Sequence, residues 1–313
     1  MIKKIIIIFL VICTICTSIC FFNYRCINRP VDFVRIPIEF LPIGGESCIA
    51  LEIDENRFLV QFDSGGTGLS LTKQALERIT NKIQDGTTVS HDFRGRGYTK
   101  LRYVVHSVQI GNFTLRDYPV SEESYDLIAY GTTISSSDEL QISKSRKDYL
   151  AKISGRIGSK ILRGHNDWLI DFKNSALYAI TDPESLKNNP QFSLEEFTEL
   201  PIESIQPHIV ISVETDLGIK KFALDTGASV SVIRLPPSDQ HLKHQFLTSK
   251  KFNMNGTDFG ATELLFVELT PELPFDGIIG RDFFHQHAVY LDFKNNRVLI
   301  GPETESPNPV NSG

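Results

Sequence analysis

Cysteine is nearly missing from the body of this 313-residue chain. Cys13, Cys16, Cys20 and Cys26 lie in or beside the N-terminal segment, and only Cys48 lies beyond it. One thiol builds no intradomain disulfide framework, so the body must be held by its own core. Basic excess is lacking too. The net charge is −6 and the pI about 5.8, which leaves no electropositive footprint for nucleic acid. Metal-ligand clusters are also wanting. His285 and His287 alternate as on one strand face, and His241 and His244 have helical spacing, but neither pair has an evident third ligand. The expectation is solvated histidines, no metal and no cofactor. An internal repeat is present, but without the third copy that a solenoid normally needs.

What is there begins with Lys3 and Lys4, followed by an apolar run from Ile5 to Phe22. That charge order predicts a signal peptide or signal anchor over 1–22. The run is at the short edge of what spans a bilayer. Ser18-Ile19-Cys20 is a weak cleavage site, and no clear Ala-x-Ala is present. The remainder is expected to be exported, either membrane-anchored through this segment or periplasmic/extracytoplasmic.

Two segments then say the same thing. FLVQFDSGG (58–66) and KFALDTGAS (221–229) each run apolar residues into Asp-(Ser/Thr)-Gly. Upstream, Pro37-Ile38-Glu39 has a counterpart in Pro201-Ile202-Glu203. Cys48–Glu52 aligns without gaps on Val210–Glu214 when Asp63 is set on Asp225. Downstream, ISGRIGSKIL (153–162) matches FDGIIGRDFF (275–284), and WLIDFKNSALYAI (168–180) matches VYLDFKNNRVLI (289–300). The shared order implies one duplication and two homologous lobes.

Strand-like segments rich in β-branched and aromatic residues dominate both halves: 49–53, 57–62, 103–111, 113–120, 209–214, 220–225, 263–269 and 288–293. Short helices are expected at 72–84 and 138–152. The predicted class is mostly β, since the strands come too often for alternating βαβ units. The expected organisation is a tether over 23–36, an N-terminal lobe over 37–181, a linker over 182–198, a C-terminal lobe over 199–301 and a disordered tail over 302–313. Residues 130–150 have no counterpart in the second half and read as an insertion near a cleft rim or a plain surface loop.

The triplets imply a chemistry. Two carboxylates a few ångströms apart cannot both ionise, so they share one proton. One can take a proton from water while the other polarises a scissile carbonyl. Asp63 and Asp225 are the candidate pair. Phe62 and Leu224 belong in the core. Ser64 and Thr226 supply hydroxyls that can lock the lobes together. Gly65 and Gly227 allow a tight turn with a backbone N–H near the carboxylate. Gly158 and Gly280 should lie beneath the two turns, where a side chain would collide.

These blocks resemble the aspartic peptidases, in particular a bilobal member with retropepsin-like lobes, over about 37–301. Asp-Thr-Gly-Ala at 225–228 with Gly-Ile-Ile-Gly-Arg-Asp at 277–282 carries the resemblance most specifically, and the first lobe is looser. The resemblance implies two β-barrel-like lobes of the acid-protease fold, a cleft between them, and an endopeptidase whose catalytic residues are Asp63 and Asp225. It also implies a peptide or protein substrate. Both halves lie in one chain, so a monomer suffices. A substrate-covering flap is expected at 89–108, with Gly95 and Gly97 at its tip and Phe93 and Tyr98 beside it.

Departures from the pattern stand out. Gly66 and Ala228 occupy positions where pepsin-like enzymes carry a hydroxyl, which predicts an optimum nearer neutral pH. Arg156 replaces the second lobe's Ile278 and needs a partner or a route to solvent. The rival expectation is therefore a catalytically inactive relative that keeps the cleft to bind peptides or partner proteins.

Overall fold

The computed structural model describes residues 33–42, 45–91, 97–123, 148, 151–163, 166–182, 194–204 and 208–303. The N-terminal segment 1–22, the insertion 130–150 apart from Asp148, most of the helix expected at 138–152, and 304–313 lie outside them. Among the described residues, no helix is long and apolar enough to cross a membrane.

Strands dominate. The first half contributes β1 (Phe33–Pro37), β2 (Glu39–Phe40), β3 (Ser47–Ile53), β4 (Asn56–Asp63), β5 (Leu69–Thr72), β6 (Lys82–His91), β7 (Gly97–Ile110), β8 (Phe113–Glu123), β9 (Gly155–Gly158), β10 (Asp167–Asp171) and β11 (Ala176–Ile180). The second contributes β12 (Thr198–Pro201), β13 (Val210–Thr215), β14 (Gly218–Leu224), β15 (Val232–Arg234), β16 (Phe246–Ser249), β17 (Phe252–Met254), β18 (Thr257–Asp258), β19 (Thr262–Val267), β20 (Gly277–Ile279), β21 (Val289–Asp292) and β22 (Arg297–Ile300). β1 starts at Phe33, inside the stretch expected to be tether. The helix expected at 72–84 is a single turn, Lys73–Glu77, capped by the Thr72 side chain. The rest of that stretch enters β6, so strand pairing prevails over a short run of helix propensity.

Each half forms a barrel-like lobe. In the first, β3-β4-β9-β5-β8-β7 run side by side, and Glu52↔Gln109 joins β7 back to β3, closing a six-stranded barrel. The second uses the order β16-β19-β15-β20-β14-β13-β17-β18 and stays a curled open sheet. The hairpin β3–β4 turns on Asp54 and Glu55, both at positive φ, the backbone a two-residue hairpin with right-handed twist requires.

The duplication holds register for register. Cys48↔Gln61 in one lobe answers Val210↔Ala223 in the other. Val60↔Gly155 and Phe62↔Ile157 answer Phe222↔Gly277 and Leu224↔Ile279. The shared Asp-Phe-Lys-Asn has a physical job at both sites. Asp171 accepts from the backbone and side chain of Asn174, and Asp292 accepts likewise from Asn295. These bonds fix the turn into β11 and into β22.

A third sheet belongs to neither lobe alone. Its order is β1-β11-β10-β21-β22-β12, three strands from each half. The halves meet at β10–β21 with Trp168↔Leu291, Leu169↔Tyr290 and Ile170↔Val289. In the repeat Trp168 corresponds to Val289 and Ile170 to Leu291. The pairing is therefore its own mirror under a local two-fold passing through Leu169 and Tyr290. Trp168, Leu169, Tyr290 and Leu291 are all at most 1% exposed. Each such side chain contributes about 1.5–3 kcal/mol of burial, and Trp168, Ile170, Val289 and Leu291 join the apolar cluster that runs through both lobes.

Candidate active site

Asp63 ends β4, and β9 runs parallel beside it with Gly158 opposite Asp63. In the second lobe Asp225 follows β14, and its N–H donates to Ile279 O at 3.0 Å. Phe62 and Leu224, at most 1% exposed, anchor the two strand ends. Both acids thus leave rigid, buried strands and meet at the interface between the lobes.

The approach is locked reciprocally. Ser64 N–H donates to Thr226 Oγ1, and Thr226 N–H donates to Ser64 Oγ, each at 2.9 Å. Ser64 Oγ donates to Leu224 O, and Thr226 Oγ1 donates to Phe62 O, again at 2.9 Å. Four buried bonds join residues some 160 positions apart, so each lobe satisfies the other's backbone. The two glycines face the opposite acid. A Cβ on Gly65 would fall 2.3 Å from Asp225 Cγ, and one on Gly227 would fall 2.6 Å from Asp63 Cγ. The Gly227 position is also 2.6 Å from Asp63 Oδ1 and 2.9 Å from Asp225 Oδ1, so both carboxyls crowd one point. Gly158 and Gly280 lie against the turns as well, with a Cβ 2.3 Å from the Gly66 carbonyl carbon and 2.5 Å from Val230 O.

The two turns are not identical. Gly227 N–H donates to Asp225 Oδ1 at 2.7 Å. In the first lobe Gly66, not Gly65, donates to Asp63 Oδ1, at 2.8 Å. Burial pushes the Asp225 carboxyl up to about 8, helped by the charge of Asp63 and a hydrogen bond with it, and opposed by Gly227 N–H and Arg156. This is the behaviour of two acids holding one proton.

Arg156 finds its partner here. Its Nε lies 3.2 Å from Asp63 Oδ2. Burial works against its charge, yet Asp63, Glu123 and Asp225 together hold the guanidinium above its ordinary range. Glu123, at the end of β8, is buried and accepts from Ser70 Oγ at 2.7 Å and Lys100 Nζ at 2.8 Å. Sequence reasoning missed Ser70, Glu123 and Lys100. The signal lay in comparing lobes. By register Ser70, Arg156 and Glu123 take the places of Val232, Ile278 and Val267, which are buried in one apolar cluster.

The flap expected at 89–108 coincides with the hairpin β6–β7, paired through Val89↔Thr99, Ser90↔Tyr98 and His91↔Gly97. Phe93 and Gly95 lie outside the described residues. Gly97 and Tyr98 open β7, and Tyr98 lies two residues before Lys100. The outer strand β6 is mostly exposed, including Ile83 and Val89.

The expectation of solvated histidines is corrected at His287, while His285 and His241 are exposed. His285 caps the helical turn Arg281–Phe284 and does not alternate with His287 on a strand. His287 is buried, 4.4 Å from the Phe283 ring, with Nδ1 3.0 Å from Gly301 O. Among the described residues no group of three or more metal-ligating side chains occurs. Asp282 accepts from Ser231 N–H and Oγ, and Ser231 Oγ accepts from Gly280 N–H, which explains the Asp of Gly-Ile-Ile-Gly-Arg-Asp. No known family model matches the chain, and no curated protein matches it.

Proposed function

We propose that the chain is an aspartic-type endopeptidase of the bilobal, retropepsin-like kind, hydrolysing peptide bonds with water held between Asp63 and Asp225. The observation that carries this reading is the reciprocal Ser64–Thr226 lock, which holds two acids from duplicated strands against one another. The raised Asp225 carboxyl supports it, because a donor at neutral pH and an ionised neighbour are what water attack on an amide needs.

The substrate class is a peptide or protein segment lying in extended form between the lobes. The hairpin β6–β7 is the candidate cover, and the N-terminal segment would place the site outside the cytoplasm, tethered or released.

One observation favours a second reading. Arg156 occupies the outer oxygen of Asp63, and a carboxylate held by a cation is a weaker base. The fold would then bind peptides without cutting them. A mixed peptide library, incubated across pH with wild type, Asp63→Asn and Asp225→Asn, separates the two. Cleavage by wild type alone supports the peptidase. Equal cleavage by all three, or none beyond background, with peptides retained on the protein, supports the binding module.

A further inference from the structure

We propose that Arg156 is a positioning residue that keeps the negative charge of the pair on Asp63 and leaves the shared proton on Asp225. The assignment of base and acid roles rests on the peptidase reading. The placement of the proton rests on the position of Arg156 beside Asp63.

Strict two-fold symmetry would make the acids equivalent, and the proton would have no preferred side. The structure breaks that symmetry beside the acids, where Ser70, Arg156 and Glu123 stand in one lobe and Val232, Ile278 and Val267 in the other. Beside Asp63 stands Arg156, Nε to Oδ2 at 3.2 Å. At the matching position of the other lobe stands Ile278, 9% exposed within an apolar cluster. A fixed cation next to one carboxylate favours ionisation of that one over its neighbour, since Coulomb attraction weakens with distance.

The surroundings keep the cation from being cancelled. Among the described residues, the charged groups facing it include Asp63, Glu123 and Asp225. Glu123 is itself bound by Lys100 from β7 and by Ser70 from β5. The guanidinium does not titrate in the working range. Asp63 also receives Gly66 N–H at Oδ1, a donor that favours a charged carboxylate over a neutral one. The hydrogen bond of Asp225 with Asp63 suits the protonated partner.

The roles follow with protons balanced. Water attacks the carbonyl carbon and gives a proton to Asp63, while Asp225 gives its proton to the carbonyl oxygen. The neutral diol then collapses: the C–N bond breaks, Asp63 passes its proton to the leaving nitrogen, and Asp225 recovers one from a diol hydroxyl. The starting protonation returns, with Arg156 still beside the anion.

The test uses the full chain as wild type, Arg156→Ile, which restores the residue of the other lobe, and Arg156→Lys. Carboxyl carbons of labelled aspartates are followed by NMR across pH, with Asp63→Asn and Asp225→Asn to assign the pair. At pH 7 the wild type should show Asp63 ionised and Asp225 protonated. Arg156→Ile should lose that difference, and Arg156→Lys should largely restore it. In the cleavage assay, the acid limb of kcat/KM should move to higher pH by about one unit or more in Arg156→Ile. A wild type with the proton on Asp63, or an Arg156→Ile profile and spectrum unchanged in position, overturns the proposal. Absence of cleavage with the NMR asymmetry intact sinks the peptidase reading and leaves the charge placement standing.

Discussion

Ser64 and Thr226 each donate a backbone N–H to the other's hydroxyl, and each hydroxyl in turn donates to a carbonyl of the opposite lobe. Removing either hydroxyl loses two bonds and strands a buried N–H on the far side. Ser64→Ala and Thr226→Ala should each destabilise by about 1–3 kcal/mol. Urea unfolding measures this, and single variants as stable as wild type would count against a reciprocal lock.

Glycine substitutions should divide sharply. Gly65→Ala and Gly227→Ala drive a Cβ into the partner acid, and Gly158→Ala drives one into the Gly66 backbone. All three should abolish cleavage, and Gly158→Ala should also reduce folded yield. Gly68→Ala meets nothing within 4 Å and serves as the control. Loss of function in Gly68→Ala equal to that in Gly65→Ala would remove the steric explanation.

Stability should fall as pH rises through the range where Asp225 keeps its proton only when folded. Its carboxyl is raised from 3.8 to about 8 in the fold, first by burial and then by Asp63. Between those values the unfolded chain has released a proton that the native one retains, so raising pH favours unfolding. Asp225→Asn has no such proton to lose. It should be more stable than wild type at pH 8, with the gap closing toward pH 4. Parallel stability curves for the two proteins would contradict the assignment.

The same proton sets the expected activity window. The pair works while it holds one proton, so cleavage should persist through neutral pH and decline as Asp225 is stripped near pH 8. A peptide-cleavage profile peaking in strong acid and dead at pH 7 would refute it.

Cys48 should be inert in the native state. It is fully buried, and burial, then the nearby Glu46 and Glu39, push its thiol up to about 12. Mapping of alkylated peptides should find it unlabelled until denaturant is added. Rapid native labelling would show that the first barrel opens.

Much of this was legible in the chain. The β-branched runs became strands, and the four repeated blocks match in register because period-2 patterning fixes which face is buried. The acids and hydroxyl residues converge because the triplets end equivalent strands. Three things were not legible. The sheet shared by the halves depends on β10 meeting β21 some 120 residues away, and two apolar strands do not advertise their partner. The Arg156–Asp63 pair crosses between neighbouring strands, and Gln61 and Ser70, the residues opposite Arg156 there, give no hint of it. His287 looked like a surface residue until Phe283 and Gly301 enclosed it.

The seam at Leu169 and Tyr290 has a consequence for how the chain comes apart. Cut away from its twin, either half would keep three strands of the shared sheet and expose buried apolar side chains along the cut edge, so neither is a self-sufficient folding unit. Melting should therefore run as one cooperative event, and two separately expressed halves should be insoluble alone yet recover solubility when co-refolded.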